Sequence, residues 1–403
     1  MDTNLVQSCT LCNARCRLSA GKWLILWLLV LTQPALGQQA QEEKTSEKLR
    51  LLHANEMTGV VEGNQQLRRL IDNVRFRHGQ TDISCNLAID YPGQERWLLI
   101  GNVLIKDKEK TLKADTVIYV AKSKLYRALR NVELMTDSTK IFCDELNYDL
   151  AERKAIARYN VRVIDQKENT ELTSGYAEHH RDTRYTLLKD DPVFVQYDSL
   201  GEEETRIVGE TMEAIDGGQR VVVDKNVVIT LTDIRATCGH AEYFRGKEKI
   251  VLTIDPVAYQ KNNRLTGTTI ELLLKEGKIQ QVHVLERALA EFVPDSSAKK
   301  DRPSTISGKK LVAYIAGDFV EKIDVNGTAT CVYYVEENGI DKGVNRAQGD
   351  SLTLLLSDNA IRRIIFESSP GKSTGKFLPP GYENQSAASQ KQAGQKSKST
   401  AGQ

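Results

Sequence analysis

Apolar and polar positions alternate in short stretches along most of the chain. Val103/Ile105, Val132/Leu134 and Val161/Val163 are apolar pairs separated by one residue, the period of a strand with one buried face. Val, Ile, Thr and Tyr dominate these stretches. Clusters such as Asp137-Ser138, Asp216-Gly217-Gly218 and Asn262-Asn263 separate them, as turn residues separate strands. No stretch of about twelve residues or more carries a capped helical stripe.

The alternation is periodic. The segment 112–119 reads LKADTVIY, and related segments start at 83, 141, 172, 207, 236 and 265, with a weaker copy at 52. From 83 onward the starts are spaced 29, 29, 31, 35, 29 and 29 residues. Each copy has an apolar residue, any residue, a small residue, often an acid, and then further apolar positions. A second element runs between the copies: Asn73-Val74, Asn102-Val103, Asn131-Val132, Asn160-Val161, Pro192-Val193, Asn226-Val227 and Pro256-Val257. Each repeat therefore holds two strands with a turn between them. After residue 270 the repeat lengthens, with Ile279, Val320 and Ile361 spaced 41 apart, and 294–304 is a polar insertion with loop composition. Within LKADTVIY the parity shifts midway. A bend at Asp115-Thr116, and its counterpart at Asp144, keeps Leu112, Ala114, Val117 and Tyr119 on one inside face. The prediction is an all-β, elongated stack of antiparallel strands built from ~29- and ~41-residue repeats. On the order of 20 strands at ~4.8 Å each give a body roughly 90 Å long if every strand is its own rung, and about half that if two strands share one.

Composition refines this picture. The 403 residues are 40% hydrophobic but only 6% aromatic, so the core is built from small and β-branched side chains. Residues 1–37 read as a cleavable export signal: Arg15, Arg17 and Lys22 flank the apolar run Trp23–Leu31, and Pro34-Ala35-Leu36-Gly37 follows. That run is much shorter than the ~20 residues of a spanning helix. Without the signal, 52 basic face 53 acidic residues, and 38–370 carry about −5. Such a balance carries no strong polyanion-binding signature, and no nucleic-acid partner is expected. Residues 38–50 read as a polar lead-in, 51–293 and 305–369 as two runs of the same β-repeat, and 370–403 as a disordered tail. Cys85, Cys143, Cys238 and Cys331 remain in the exported chain. The first three occupy the small slot of different copies, too far apart along the stack to bridge.

The copies in GNVLIKDKEKTLKADTVIYVAKSKLYRALRNVELMTDSTKIFCDELNYD, residues 101–149, resemble the OstA/LptA-like proteins of lipopolysaccharide transport. Those proteins share a Gly-Asn-Val element and a Leu-x-(Ala/Cys/Gly)-Asp element ending in Tyr. The resemblance spans roughly residues 50–366. It implies a stack folded over into a β-jellyroll, or β-taco, with an apolar interior groove that takes lipid A acyl chains. It also implies a periplasmic location and a bridge carrying lipopolysaccharide toward the outer membrane. Partners would be lipopolysaccharide or lipid A, and related β-jellyroll transport proteins, or another copy of this chain, joined end to end by strand addition. The inward residues expected to line the groove are Val103, Ile105, Leu112, Ala114, Val117, Val132, Leu134, Ile141, Leu146, Val161 and Val163. The small slot reads as a place where volume is left for acyl chains. The alternative is a structural or adhesive envelope β-solenoid with a packed core and no lipid cargo.

Catalytic signals are weak. Gly371-Lys-Ser373-Thr-Gly375 matches a nucleophile-elbow string, but Pro379-Pro380 follows where a helix is required. His179 and His180 are adjacent, so a strand points them to opposite faces. Cys238 and His240 share a face, but two ligands make no metal site. No catalytic residue, metal site or cofactor is expected, nor is an enzyme.

Overall fold

The computed structural model describes residues 49–380 apart from 64, 121, 137, 232–233, 276–277, 293–301, 317–318, 338–339 and 358–359. The expected signal (1–37), most of the lead-in, most of the polar insertion and the tail beyond 380 lie outside the described residues. The rest is a single antiparallel sheet of 26 strands with two 3-10 turns, Pro92–Gln94 and Arg245–Lys247. Among the described residues no helix is long and apolar enough to cross a membrane.

The strands stack in chain order. Gln65–His78 pairs with Thr81–Tyr91, which pairs with Arg96–Lys106, then Thr111–Val120, Leu125–Met135, Thr139–Asp149, Lys154–Asp165 and Thr170–His180. Six rungs consist of two short strands side by side, such as Tyr185–Lys189 with Val193–Tyr197, so the 26 strands make 20 rungs. At ~4.8 Å per rung the stack is roughly 90 Å long.

The sheet folds over along a line of backbone bends. In every second long strand, two consecutive residues adopt the left-handed conformation: Asp72-Asn73 (φ 57 and 49), Gly101-Asn102 (78 and 48), Arg130-Asn131 (59 and 49) and Tyr159-Asn160 (60 and 51). Each pair faces one residue of the neighbouring strand, a bulge that turns the strand. Asn tolerates this conformation better than other side-chain-bearing residues, which explains the recurrent Asn-Val element. Its amide also bonds the opposing acid: Asn131 Nδ2 donates to Asp115 at 2.9 Å, Asn160 to Asp144 at 2.7 Å and Asn226 to Glu210 at 2.8 Å. The bend read at Asp115 and Asp144 is therefore present, but the strained backbone belongs to the neighbouring strands. At Pro192 and Pro256 the ring holds φ near −65°. The left-handed pair moves one residue upstream, to Asp190-Asp191 and Ile254-Asp255, and the strand splits in two at each place.

The repeat lengthens near the C-terminus because its strands do. Leu125–Met135 has 11 residues, whereas Phe319–Glu337 has 19 and Ile340–Ser357 has 18. Part of the segment expected to be a disordered tail, 370–403, is an ordered strand. Thr374–Leu378 is a strand pairing with 344–348, while Ala360–Glu367 pairs with 351–357. The long strand Ile340–Ser357 offers two arms, and the final short strand covers the second; Leu378 is buried against it.

The inside of the fold is packed. Val74, Val103, Val132, Val161 and Val227 are each at most 2% exposed. The small slot faces these valines directly: Val74 opposes Cys85, Val103 opposes Ala114, Val132 opposes Cys143 and Val161 opposes Ser174. A Cβ on Gly209 would meet Val223 Cγ1 at 2.5 Å, and one on Gly267 would meet Val284 Cγ1 at 2.3 Å. The expectation that small slots leave room for ligand is thus overturned. They are small because the fold line brings a valine against them. Cys85, Cys143, Cys238 and Cys331 are buried free thiols. Burial pushes Cys85, Cys238 and Cys331 up to about 11 and Cys143 up to about 12, so they are unreactive packing residues.

Candidate functional site

Away from the fold line the two arms diverge, and an apolar cavity of about 350 Å³ opens between them. On one arm it is lined by Ile83, Ile105, Leu112, Leu134, Ile141 and Val163, and on the other by Tyr126, Leu146, Tyr148, Ala155, Ala157 and Ala177. Its volume lies within the ~300–1,000 Å³ of small-molecule pockets. Successive strands supply its lining through simple alternation. Ile105 pairs with Leu112, Leu112 with Leu134, Leu134 with Ile141 and Ile141 with Val163, forming a continuous apolar row.

Seven of the eleven residues expected to line a groove do so: Ile105, Leu112, Leu134, Ile141, Leu146, Val161 and Val163. The other four, Val103, Ala114, Val117 and Val132, sit at most 5% exposed in the packed floor. Sequence parity correctly places them inside, but cannot separate floor from cavity, because that depends on distance from the fold line. Of the second-arm residues only Leu146 was expected; Tyr126, Tyr148, Ala155, Ala157 and Ala177 were not. The Tyr that ends the copies 112–119 and 141–148 was the available signal. Tyr119 and Tyr126 stack on that arm with ring centroids 4.5 Å apart, and Tyr126 and Tyr148 line the cavity.

The mouth is polar and bridged. Lys110 on the first arm reaches over the Tyr148 ring of the second, 5.9 Å from its centroid, a cation–π contact spanning the opening. Asp107 fixes the Lys110 turn by accepting the Glu109 and Lys110 backbone N–H groups, each at 2.8 Å. His179 faces into the cavity while His180 lies outside with Glu178, so the adjacent pair splits across the sheet. Charge sits chiefly on the outer faces and is paired there: Lys113 with Glu133, Arg127 and Arg158 with Glu145, Lys154 with Glu178, Arg220 and His240 with Glu242. Among the described residues no group of three or more His, Cys, Asp and Glu side chains is placed to hold a metal ion.

The slot does not run unbroken along the stack. Beyond Ala177 the interior fills with Leu188, Phe194 and Met212, each at most 1% exposed. A second apolar cavity of about 120 Å³ opens further on, lined by residues including Ile229, Leu231, Leu252, Leu265, Leu272 and Leu311, with Arg264 and Glu291 ion-paired at its rim.

The OstA-like protein family matches residues 46–199, the segment that holds the larger cavity. Among solved structures, the chain is similar to LptH, the LptA homologous periplasmic component of the conserved lipopolysaccharide transport device from Pseudomonas aeruginosa. The identity is 16% and the TM-score 0.29, over 36% of this chain and 95% of that one. No curated protein matches the chain.

Proposed function

We propose that this chain, OstA-like over residues 46–199, is a periplasmic lipid carrier that holds lipopolysaccharide by its lipid A acyl chains and helps bridge its passage to the outer membrane. The carrying observation is the open apolar cavity within the OstA-like segment, between arms whose outer faces are charged and paired. A closed structural solenoid has no need of such a slot, and filling it would add stability. Acyl chains gain ~0.8 kcal/mol per buried CH₂, so a few methylenes from each of several chains give firm binding. The charged headgroup stays at the mouth, where Lys110 lies. Export through residues 1–37, expected from sequence to be a cleavable signal, would carry the protein to where such cargo moves.

The test is photocrosslinking from two neighbouring positions. Leu134 lines the cavity, while Glu133 points out and pairs with Lys113 at 3.1 Å. A photoreactive side chain at 134 is expected to capture lipopolysaccharide in cells, and one at 133 is not. Equal capture at both, or none at either, leaves the structural solenoid as the better reading.

The two ends of the stack supply the partner interface of this proposal. Among the described residues the first rung, Arg50–His53 with Glu56–Glu62, pairs on one side only, and such an edge accepts an added strand. Its Met57 and Val61 are 66% and 70% exposed. Met57→Lys with Val61→Lys is expected to weaken end-to-end association with a second copy or with a related jellyroll protein by about tenfold or more. Sedimentation velocity reads this, and unchanged association would exclude that edge.

A further inference from the structure

The second arm carries a row of large rings at the cavity mouth, Tyr119, Tyr126 and Tyr148, linked strand to strand. The row breaks at the next strand. Tyr148 pairs with Ala155, Ala155 with His179, and His179 with Thr186. Ala155, Ala157 and Ala177 leave volume there, and His179 and Thr186 line the same cavity. Thr186 is only 2% exposed, and its hydroxyl lies 3.0 Å from His179 Nδ1. That bond fixes the ring and leaves Nε2 without a hydrogen-bond partner among the described residues. His179 Nε2 is thus an oriented polar atom facing a largely apolar lining, at the place where the row of tyrosines is interrupted.

We propose that His179, held by Thr186, is a specificity-determining hydrogen-bond site that receives a neutral oxygen of the bound amphiphile, the hydroxyl, ester or amide joining an acyl chain to its polar part. The inference rests on the lipid-carrier reading above. Burial, with the charges of His180 and Arg181 nearby, lowers the His179 pKa, so the ring is uncharged at neutral pH. A neutral imidazole suits an uncharged oxygen rather than a phosphate. The Nδ1 bond sets the role of Nε2: when Thr186 donates, Nε2 carries the proton and donates into the cavity; when Thr186 accepts, Nε2 is the acceptor. A hydroxyl satisfies either state.

Two probes of equal chain length separate this site from the apolar cavity around it. Decane and decanol are titrated against the full chain by displacement of N-phenylnaphthylamine. Leu112→Glu serves as the control that assigns the binding to this cavity. Decanol is expected to bind the native chain about two- to tenfold more tightly than decane, the worth of one net hydrogen bond. In His179→Phe, which keeps a flat ring, that ratio falls to one or below, because the hydroxyl is then buried without a partner. Thr186→Val lowers the ratio by freeing the ring, and His179→Gln retains part of it. A ratio unchanged in both His179→Phe and Thr186→Val, with strand content intact by circular dichroism, overturns the proposal and leaves the lipid carrier standing. Failure of the native chain to bind either probe overturns both.

Discussion

Leu112→Glu is expected to strip the protein of copurifying lipid. Leu112 lies at the centre of the apolar row, between Ile105 and Leu134, and is only half-buried because it faces the cavity. A carboxylate there can turn toward the mouth and stay hydrated, so the strand pairing survives. The acyl chain has no such escape. It either leaves a charge desolvated or withdraws from the slot. Displacing about four methylenes removes ~3 kcal/mol, on the order of a hundredfold in affinity. Lys113→Gln, one residue away on the outer face, is the matched control and should retain lipid fully. Mass spectrometry of organic extracts from the two purified variants makes the comparison. Equal lipid in both would show that the cavity is not where lipid sits.

The second large effect is on stability, at the fold line. Gly267→Val is expected to destabilise the chain by about 1–3 kcal/mol or more, the range for overpacking a tight core. A Cβ at 267 would come within 2.3 Å of Val284 Cγ1 and 3.2 Å of the Glu286 carbonyl oxygen. Val284 is fully buried, and Glu286 is the first residue of the left-handed pair that bends its strand, so neither neighbour can give way cheaply. Gly59→Ala is the contrast. Nothing lies within 4 Å of a Cβ there, and the loss of unfolded-state freedom makes the change neutral or mildly stabilising. Urea midpoints of the two variants should move in opposite directions or differ clearly. Had the small slots been ligand space, as their sequence pattern invites one to read them, Gly267→Val would cost little stability.

That contrast marks the division between what the chain states and what folding adds. Alternation at Val103/Ile105, Val132/Leu134 and Val161/Val163 determined by itself that these are strands and which face turns inward, because a strand's side chains alternate with a period of two. The bend read at Asp115 and Asp144 was near its place, but its strained residues are the Asn of the recurrent Asn-Val element on the neighbouring strands, since a left-handed backbone pair needs a residue that tolerates positive φ. Even the substitutions at Pro192 and Pro256 follow from a ring that fixes φ. The sequence could not separate Val103, Ala114, Val117 and Val132, which pack the floor, from Leu112 and Leu134, which line open space. All turn inward and have much the same chemistry. The difference is their distance from a fold line that brings two arms together, and the gap between those arms is set by residues tens of positions apart. The same holds for His179 and Ala155: a pattern along one strand shows an inward histidine and an inward alanine, but only pairing across strands sets them side by side, beneath a break in a row of tyrosines, with Thr186 holding the ring.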